Sequence, residues 1–250
     1  TFGSLACRKV LLYHNVTPSA YFEGLNPDLA RSLARGRSQA AELADAAQVN
    51  LADSTFNARE LEAMGFRNVQ VLPLIVDLDQ SAQLIDSDVC SRYADDAPTI
   101  LFVGRCAPNK AIEDAIAAFA LYQSGHAPNA RFVHIGSSAG TETYRSLIVA
   151  TAREQRARNV EILGSRPQPF LNALYAKTDL FLSMSEHEGF CVPLLESIYH
   201  DVPILAYDGG AVAETLDGAG VLFAEKDFAS VAEMMHCLIH NAEFREAVLL

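Results

Sequence analysis

Tryptophan is absent from the 250 residues, methionine occurs four times, and no two cysteines are spaced as Cys-x-x-Cys. The five cysteines (Cys7, Cys90, Cys106, Cys191 and Cys237) are an odd, scattered set. They fit reduced, buried thiols in a cytosol rather than a disulfide framework, and they give structural zinc none of its usual ligand pairs. No run approaches eighteen apolar residues, and the opening TFGSLACRKV lacks the apolar region of a signal peptide, so neither a membrane span nor export is expected. Cations are in deficit, with 19 Lys and Arg against 31 Asp and Glu, a net charge of −12. General attraction to nucleic acid or to anionic lipid is therefore excluded, and an anionic ligand has to meet a local positive site. There is no low-complexity tract, no repeat at a solenoid period, and no G-x-S-x-G elbow for serine hydrolysis. An initiator Met is missing too, and the chain enters a strand-like KVLLYH almost at once, which suggests a fragment.

Half of the residues are hydrophobic, enough for a substantial core. Short β-branched or apolar runs alternate with longer amphipathic ones, the pattern of stacked βαβ units on a parallel sheet, so the class is α/β. In the first part, strands are expected at 9–14, 50–53 and 69–72, with helices over 27–48 and 56–64. Pro27 behind Asn26 suits the first helical position after a cap. The aspartate-rich stretch 77–98 has weak periodicity and reads as a linker. Strands then follow at 99–103, 131–135, 160–163, 180–184, 203–206 and 221–223, with helices between them and a last one over 228–241. The expected organisation is the remainder of one Rossmann-like domain over 1–76, the linker, and a complete doubly wound Rossmann-like domain over 99–250.

Ligands of open α/β sheets bind beyond the carboxyl ends of the strands, which directs attention to two loops. The first, in LFVGRCAPNKAIEDAI, places Gly104, Arg105 and Lys110 between a strand and a helix start. Both cations could be solvated surface charges. Two cations beside the positive end of a helix are nevertheless electrostatically unfavourable without an anion, and the combination favours a phosphate or pyrophosphate. The second loop, in EHEGFCVPLLE, carries Glu188 ahead of a helix that Pro193 suits as first residue, with Glu196 near the first turn. An acid at the place of Glu196 needs no ligand, because it interacts favourably with the helix dipole. Glu188 lies in the loop, next to a glycine where backbone can approach a ligand closely. On spacing alone the two glutamates remain either binding groups or ordinary helix-start acids.

Together the motifs are more specific. FVGRCAPNK, then EGFCVPLLE some eighty residues on, then VPILAYDGGAVAETL and GAGVLF, resemble the nucleotide-binding half of the family 4 retaining glycosyltransferases of the GT-B fold. That family carries G-R-x(4)-K and E-x(7)-E elements at these places. The match covers about residues 99–241. A looser one over 9–79, through YHN, NLADSTFNARELEAMGF and VQVLPLIVDLD, resembles the last strands of the acceptor domain. The resemblance implies that Arg105 and Lys110 hold the diphosphate of a sugar nucleotide and that Glu188 stands beside the donor sugar. It further implies that the amides of Gly189, Phe190, Cys191 and Val192 contact sugar hydroxyls and phosphate oxygens, and that Glu196 accepts from the ribose. Arg166, in LGSRP, matches the region that packs on the nucleobase, and His14 matches a histidine that reaches the reaction centre from the opposite domain. The family's glycine-rich first loop has no counterpart before Lys9, so most acceptor contacts are expected to lie outside this stretch.

The activity so implied is retaining transfer of a hexose from a nucleotide-diphosphate sugar to a saccharide or lipid-linked saccharide acceptor. No metal or cofactor is implied, and the place of action would be the cytoplasm or the inner face of the plasma membrane, with peripheral membrane contact at most. A surface-polysaccharide role is the expected context, and the 250 residues alone are expected to be weak or inactive. Two alternatives use the same phosphate contacts: a sugar-nucleotide epimerase on a GT-B scaffold, and a truncated nucleotide-binding module without turnover. Three other features carry less. His236 and His240 lie four apart on one helix face without a third ligand, Asp95 and Asp96 precede a strand, and Arg31, Arg35 and Arg37 read as a solvated basic face.

Overall fold

The computed structural model describes residues 2–81 and 84–249, so residues 82 and 83 of the expected linker lie outside it. Its first part is a parallel sheet of order β1-β2-β3, formed by β1 (Val10–Tyr13), β2 (Val49–Ala52) and β3 (Val69–Val71). Between these strands run α1 (Pro27–Ala41) and α2 (Thr55–Ala63). Both helices start where local chemistry dictates: the Asn26 side chain accepts from the Leu29 amide ahead of Pro27, and Ser54 accepts from the Asn57 amide. Tyr13, Ala52, Ala58, Leu61 and Phe66 close a small core between this sheet and its helices.

Two short helices follow, α3 (Leu78–Ser81) and α4 (Ser87–Arg92). The aspartates of this stretch are partly capping groups, since Asp86 accepts from the Asp88 and Val89 amides. Val89 and Tyr93 are buried in the larger core.

The second sheet has six parallel strands: β4 (Thr99–Val103), β5 (Arg131–Ile135), β6 (Val160–Ile162), β7 (Leu180–Ser183), β8 (Ile204–Tyr207) and β9 (Val221–Phe223). Their order is β6-β5-β4-β7-β8-β9. Numbered from β4 this is 3-2-1-4-5-6, the doubly wound arrangement, with its topological switch point between β4 and β7. The intervening helices are α5 (Ile112–Gly125), α6 (Glu142–Glu154), α7 (Gln168–Tyr175), α8 (Val192–Tyr199) and α9 (Val212–Leu216), and α10 (Phe228–His240) packs beside α5. Both central strands are buried along almost their whole length, as a parallel sheet covered on two faces requires.

Three details differ from the expectation. The first helix ends at Ala41 rather than residue 48, because Leu43 and Ala44 turn in to pack against the small core before Gln48 donates its amide to the Lys9 carbonyl. A further helix, α11 (Ala242–Leu249), follows Asn241, whose side chain accepts from the Phe244 amide. Arg37 belongs to no solvated basic face: it turns inward to pair with Glu60 at 3.0 Å and to donate to the Val16 carbonyl at 2.6 Å.

Candidate active site at the switch point between two sheets

The loops after β4 and β7 leave the sheet side by side, and the loop after β1 faces them from the other sheet. Between the three lies a cleft of about 250 Å³ lined by His14, Asn15, Thr17, Phe22, Arg105, Asn109, Lys110, His187, Glu188 and Gly189, among others. Five of the residues singled out in the sequence therefore meet in one place: His14, Arg105, Lys110, Glu188 and Gly189.

The loop after β4 is held from below. The Gly104 amide donates to the Ile135 carbonyl at 2.9 Å, and the Gly104 carbonyl accepts from His134 Nε2 at 2.9 Å. A Cβ on Gly136 would stand 1.7 Å from that carbonyl oxygen, so only glycine permits the crossing. His134 is completely buried and its pKa is pushed down to about 4, chiefly by burial, with Arg145 adding to the effect and the Gly104 hydrogen bond opposing it. A neutral ring that donates through Nε2 follows from this geometry. Arg105 is exposed, and one guanidinium nitrogen donates to the Ala139 carbonyl at 3.0 Å.

Lys110 reaches across the switch point to Glu188, with Nζ 2.6 Å from Oε1. Asn109 ties the same two loops together: it donates to the His187 carbonyl at 3.1 Å, and its own carbonyl accepts from the Glu186 amide at 2.9 Å. Cys191 caps α8 in the left-handed region at φ 71, and burial followed by the Glu188 charge pushes its thiol well up, so it is an un-ionised group. The helix begins at Val192, one residue before the expected first position at Pro193.

The remaining sequence candidates are not part of this cleft lining. Glu196 lies one turn into α8, where its two carboxylate oxygens accept from Tyr175 at 3.0 Å and Gln168 at 3.3 Å. Arg166 lies over the Phe170 ring at 5.5 Å. Phe190, Cys191 and Val192 are partly buried where the loop enters α8, and Phe190 accepts through its carbonyl from Thr215. Gly104 acts beneath the cleft rather than in it.

Reasoning from sequence missed the groups that join the two sheets. Asn15, with φ 81, accepts from His187 Nε2 at 2.8 Å, and a Cβ on Gly189 would stand 2.9 Å from the Asn15 Cβ. Glu214, at the start of α9, accepts from the Thr55 amide at 2.7 Å and from the Thr55 hydroxyl at 2.8 Å, so it caps α2 from the opposite sheet. Asn26 donates across to the Gly140 carbonyl at 2.8 Å. Of the non-glycine residues in these contacts only Asn15 has a positive φ, and sequence alone does not reveal φ. Elsewhere, His236 and His240 gather with His126, at ring separations of 4.3 Å and 4.8 Å, yet no group of three His, Cys, Asp or Glu among the described residues is arranged to hold a metal ion. Nor is any described helix long and apolar enough to cross a membrane.

A doubly wound sheet with cations and a glutamate at its switch point, facing a second parallel sheet across a cleft, is the arrangement of the GT-B fold. The chain belongs to the family described as glycosyl transferases group 1, whose model matches residues 91–248. It is 29% identical over 196 residues to a GDP-mannose-dependent alpha-mannosyltransferase of Mycobacterium tuberculosis, covering 74% of this chain and 48% of that protein. It is also 27% identical over 172 residues to an alpha-D-kanosaminyltransferase of Streptomyces kanamyceticus, over 67% of this chain and 43% of the other. The chain thus spans about half the length of the curated relatives it matches. Among solved structures, Anabaena HepE in complex with UDP and glucose superposes with a TM-score of 0.76 at 18% identity, over 97% of this chain and 64% of the other. Sucrose-phosphate synthase of Thermosynechococcus elongatus also gives 0.76, at 16% identity, over 98% and 62%.

Proposed function

We propose that these residues form the donor site, and part of the facing wall, of a retaining hexosyltransferase that uses a nucleotide-diphosphate sugar and needs no metal for the chemistry. The observation that carries the reading is the convergence of Arg105, Lys110, Glu188 and His14 on one cleft at the switch point. Arg105 and Lys110 bind the diphosphate and stabilise the charge that grows on it as the glycosidic bond breaks, the preorganised electrostatic help that is commonly the largest catalytic contribution. An oxocarbenium-like centre develops at the anomeric carbon. The acceptor hydroxyl attacks from the leaving-group side, and the departing phosphate oxygen takes its proton, so the configuration is kept. Glu188 orients the sugar and stabilises its positive charge instead of attacking it. Glu196 receives the ribose hydroxyls, which its two present donors leave room for, and Arg166 borders the base.

The acceptor is a saccharide or a lipid-linked saccharide, in surface polysaccharide synthesis at the cytoplasmic side of a membrane. The names of the relatives supply the donors to try first, GDP-mannose and UDP-glucose. Calorimetry with both nucleotide sugars should show binding to the wild-type chain that Arg105→Ala and Lys110→Ala each weaken at least about tenfold, the effect of losing one charge-assisted phosphate contact. Unchanged affinity in both variants would sink the phosphate assignment.

A further inference from the structure

Along the wall of the cleft, five polar side chains form one hydrogen-bonded path from one sheet to the other: His187, Asn15, Asn57, Asp53 and His14. Its proton positions can be derived without assuming how any amide is oriented. Asp53 is 2% exposed, and a carboxylate only accepts. Asn57, 2.5 Å from Asp53 Oδ1, must therefore turn its NH2 toward it, which leaves Asn57 Oδ1 for Asn15 at 2.6 Å. Asn15 must donate there, and it must donate as well to the Glu60 carboxylate at 3.0 Å, so its oxygen is what faces His187. The other Asp53 oxygen lies 3.1 Å from His14 Nδ1, which can approach it only as a donor. Neutral His14 is then the Nδ1–H tautomer. Its second nitrogen, Nε2, carries a lone pair on the side turned away from Asp53, where His14 lines the cleft.

We infer that Asp53 is the positioning residue of His14, fixing the tautomer that presents an acceptor nitrogen to a hydroxyl of the bound donor sugar. The His14 side chain is about half exposed (53%) and Asp53 holds it on one nitrogen alone, so the carboxylate chooses both ring orientation and tautomer. Asn57, which Asp53 grips at the other oxygen, also lies 3.4 Å from the Gly189 carbonyl of the Glu188 loop. The same path therefore registers His14 against the residues that face it across the cleft. The sugar contact rests on the proposed function. The tautomer does not.

The substitution Asp53→Asn tests this by inverting the choice. Asn57 still offers its NH2, so the introduced amide must turn its oxygen to Asn57 and its own NH2 to His14 Nδ1, which forces His14 into the Nε2–H form. The same wrong-tautomer logic explains the loss when the aspartate of a serine-protease triad becomes asparagine. In 15N spectra recorded at about pH 8, above the ordinary imidazole range, His14 is identified by the resonances lost in His14→Gln. Wild-type His14 should show protonated Nδ1 and unprotonated Nε2, and Asp53→Asn the reverse. The double variant Asp53→Asn/Asn57→Ala should recover the wild-type pattern, because the introduced amide is then free to turn. A role confined to packing would move none of these signals. Calorimetry on the same samples should show the Kd for UDP-glucose rising about tenfold in Asp53→Asn while that for UDP is unchanged, the effect of one lost hydrogen bond. An Nε2–H tautomer in the wild type, or an unaltered tautomer in Asp53→Asn, overturns the inference, and the wild-type spectrum decides it even if the variant does not fold. Inverted tautomers with no binding of any nucleotide sugar by the wild type would leave Asp53 in its positioning role and overturn the proposed function instead.

Discussion

Lys110 and Glu188 neutralise each other across the switch point, with 17% and 7% of their side chains exposed. An anion entering the cleft would therefore compete for Lys110 with a carboxylate already in place. The pair gives a prediction that needs no substrate. Lys110→Met strands a buried carboxylate and should cost about 3 kcal/mol, the lower end for breaking a buried pair. Glu188→Gln leaves a lysine that can still reach water and should cost about 1 kcal/mol, close to a surface pair. The double variant should be more stable than Lys110→Met alone. Urea melts of the four proteins form a double-mutant cycle, and additive losses would show that the two groups do not interact in solution.

The capping residue of α8 makes a second prediction. Cys191 holds φ 71, a region that costs an L side chain about 1 kcal/mol or more and glycine nothing. Alanine would keep that strain and lose the thiol's packing, whereas glycine loses the packing but relieves the strain. Cys191→Gly should thus be more stable than Cys191→Ala by about 1 kcal/mol, the reverse of their order inside a helix. Chemical denaturation of the two variants settles it, and equal stability, or alanine ahead, would mean that the backbone does not hold this conformation in solution.

The strand and helix succession was legible because parallel buried strands such as TILFV and LFLS are continuous apolar runs, and their order fixes which loops meet. Arg105, Lys110 and Glu188 could be found for the same reason: each lies in a loop that follows a strand at the switch point, the first two after β4 and the third after β7. His14 was legible only through its likeness to a family. Asp53, Asn57 and Asn15 were not legible, because a polar residue in a loop or a first helical turn is ordinary in sequence and becomes informative only when its partners come from another sheet. His187, next to Glu188 in the chain, belongs to the interface through its hydrogen bond to Asn15 and through the packing of its ring against Phe56 and Tyr21. The early end of α1 was hidden because LADAAQ continues a helical composition while tertiary packing pulls Leu43 and Ala44 inward.

Glu214 predicts how the two sheets are held. Its carboxylate sits on the free amides of Thr55 and Phe56 at the start of α2, where negative charge is favoured by the helix dipole. The contact is exposed, so its worth is modest. Glu214→Ala should cost about 1 kcal/mol at low salt and less at high salt, where the dipole interaction is screened. It should also widen the distance distribution between a spin label on the exposed face of α1 and one on α10, as read by pulsed electron resonance. An unchanged distribution, together with stability that does not respond to salt, would remove Glu214 from the interface.

His134 predicts the acid limit of the fold. Its pKa falls from the ordinary 6.5 to about 4 in the folded chain, mainly because burial disfavours the imidazolium. The unfolded chain therefore binds the extra proton first as pH falls. The stability this residue contributes is complete above about pH 6.5 and is lost progressively down to about pH 4, by at most roughly 3 kcal/mol. His134→Phe removes the titration and also the hydrogen bond to the Gly104 carbonyl, a loss of about 1 kcal/mol that does not depend on pH. Wild type should accordingly be the more stable protein at neutral pH, and its margin should shrink and then reverse as pH approaches 4. Urea midpoints measured across that range check the sign directly. A margin that stays constant from pH 7 to 4 would mean that His134 accepts its proton without cost where it lies, and that the Gly104 loop is not anchored by a neutral ring.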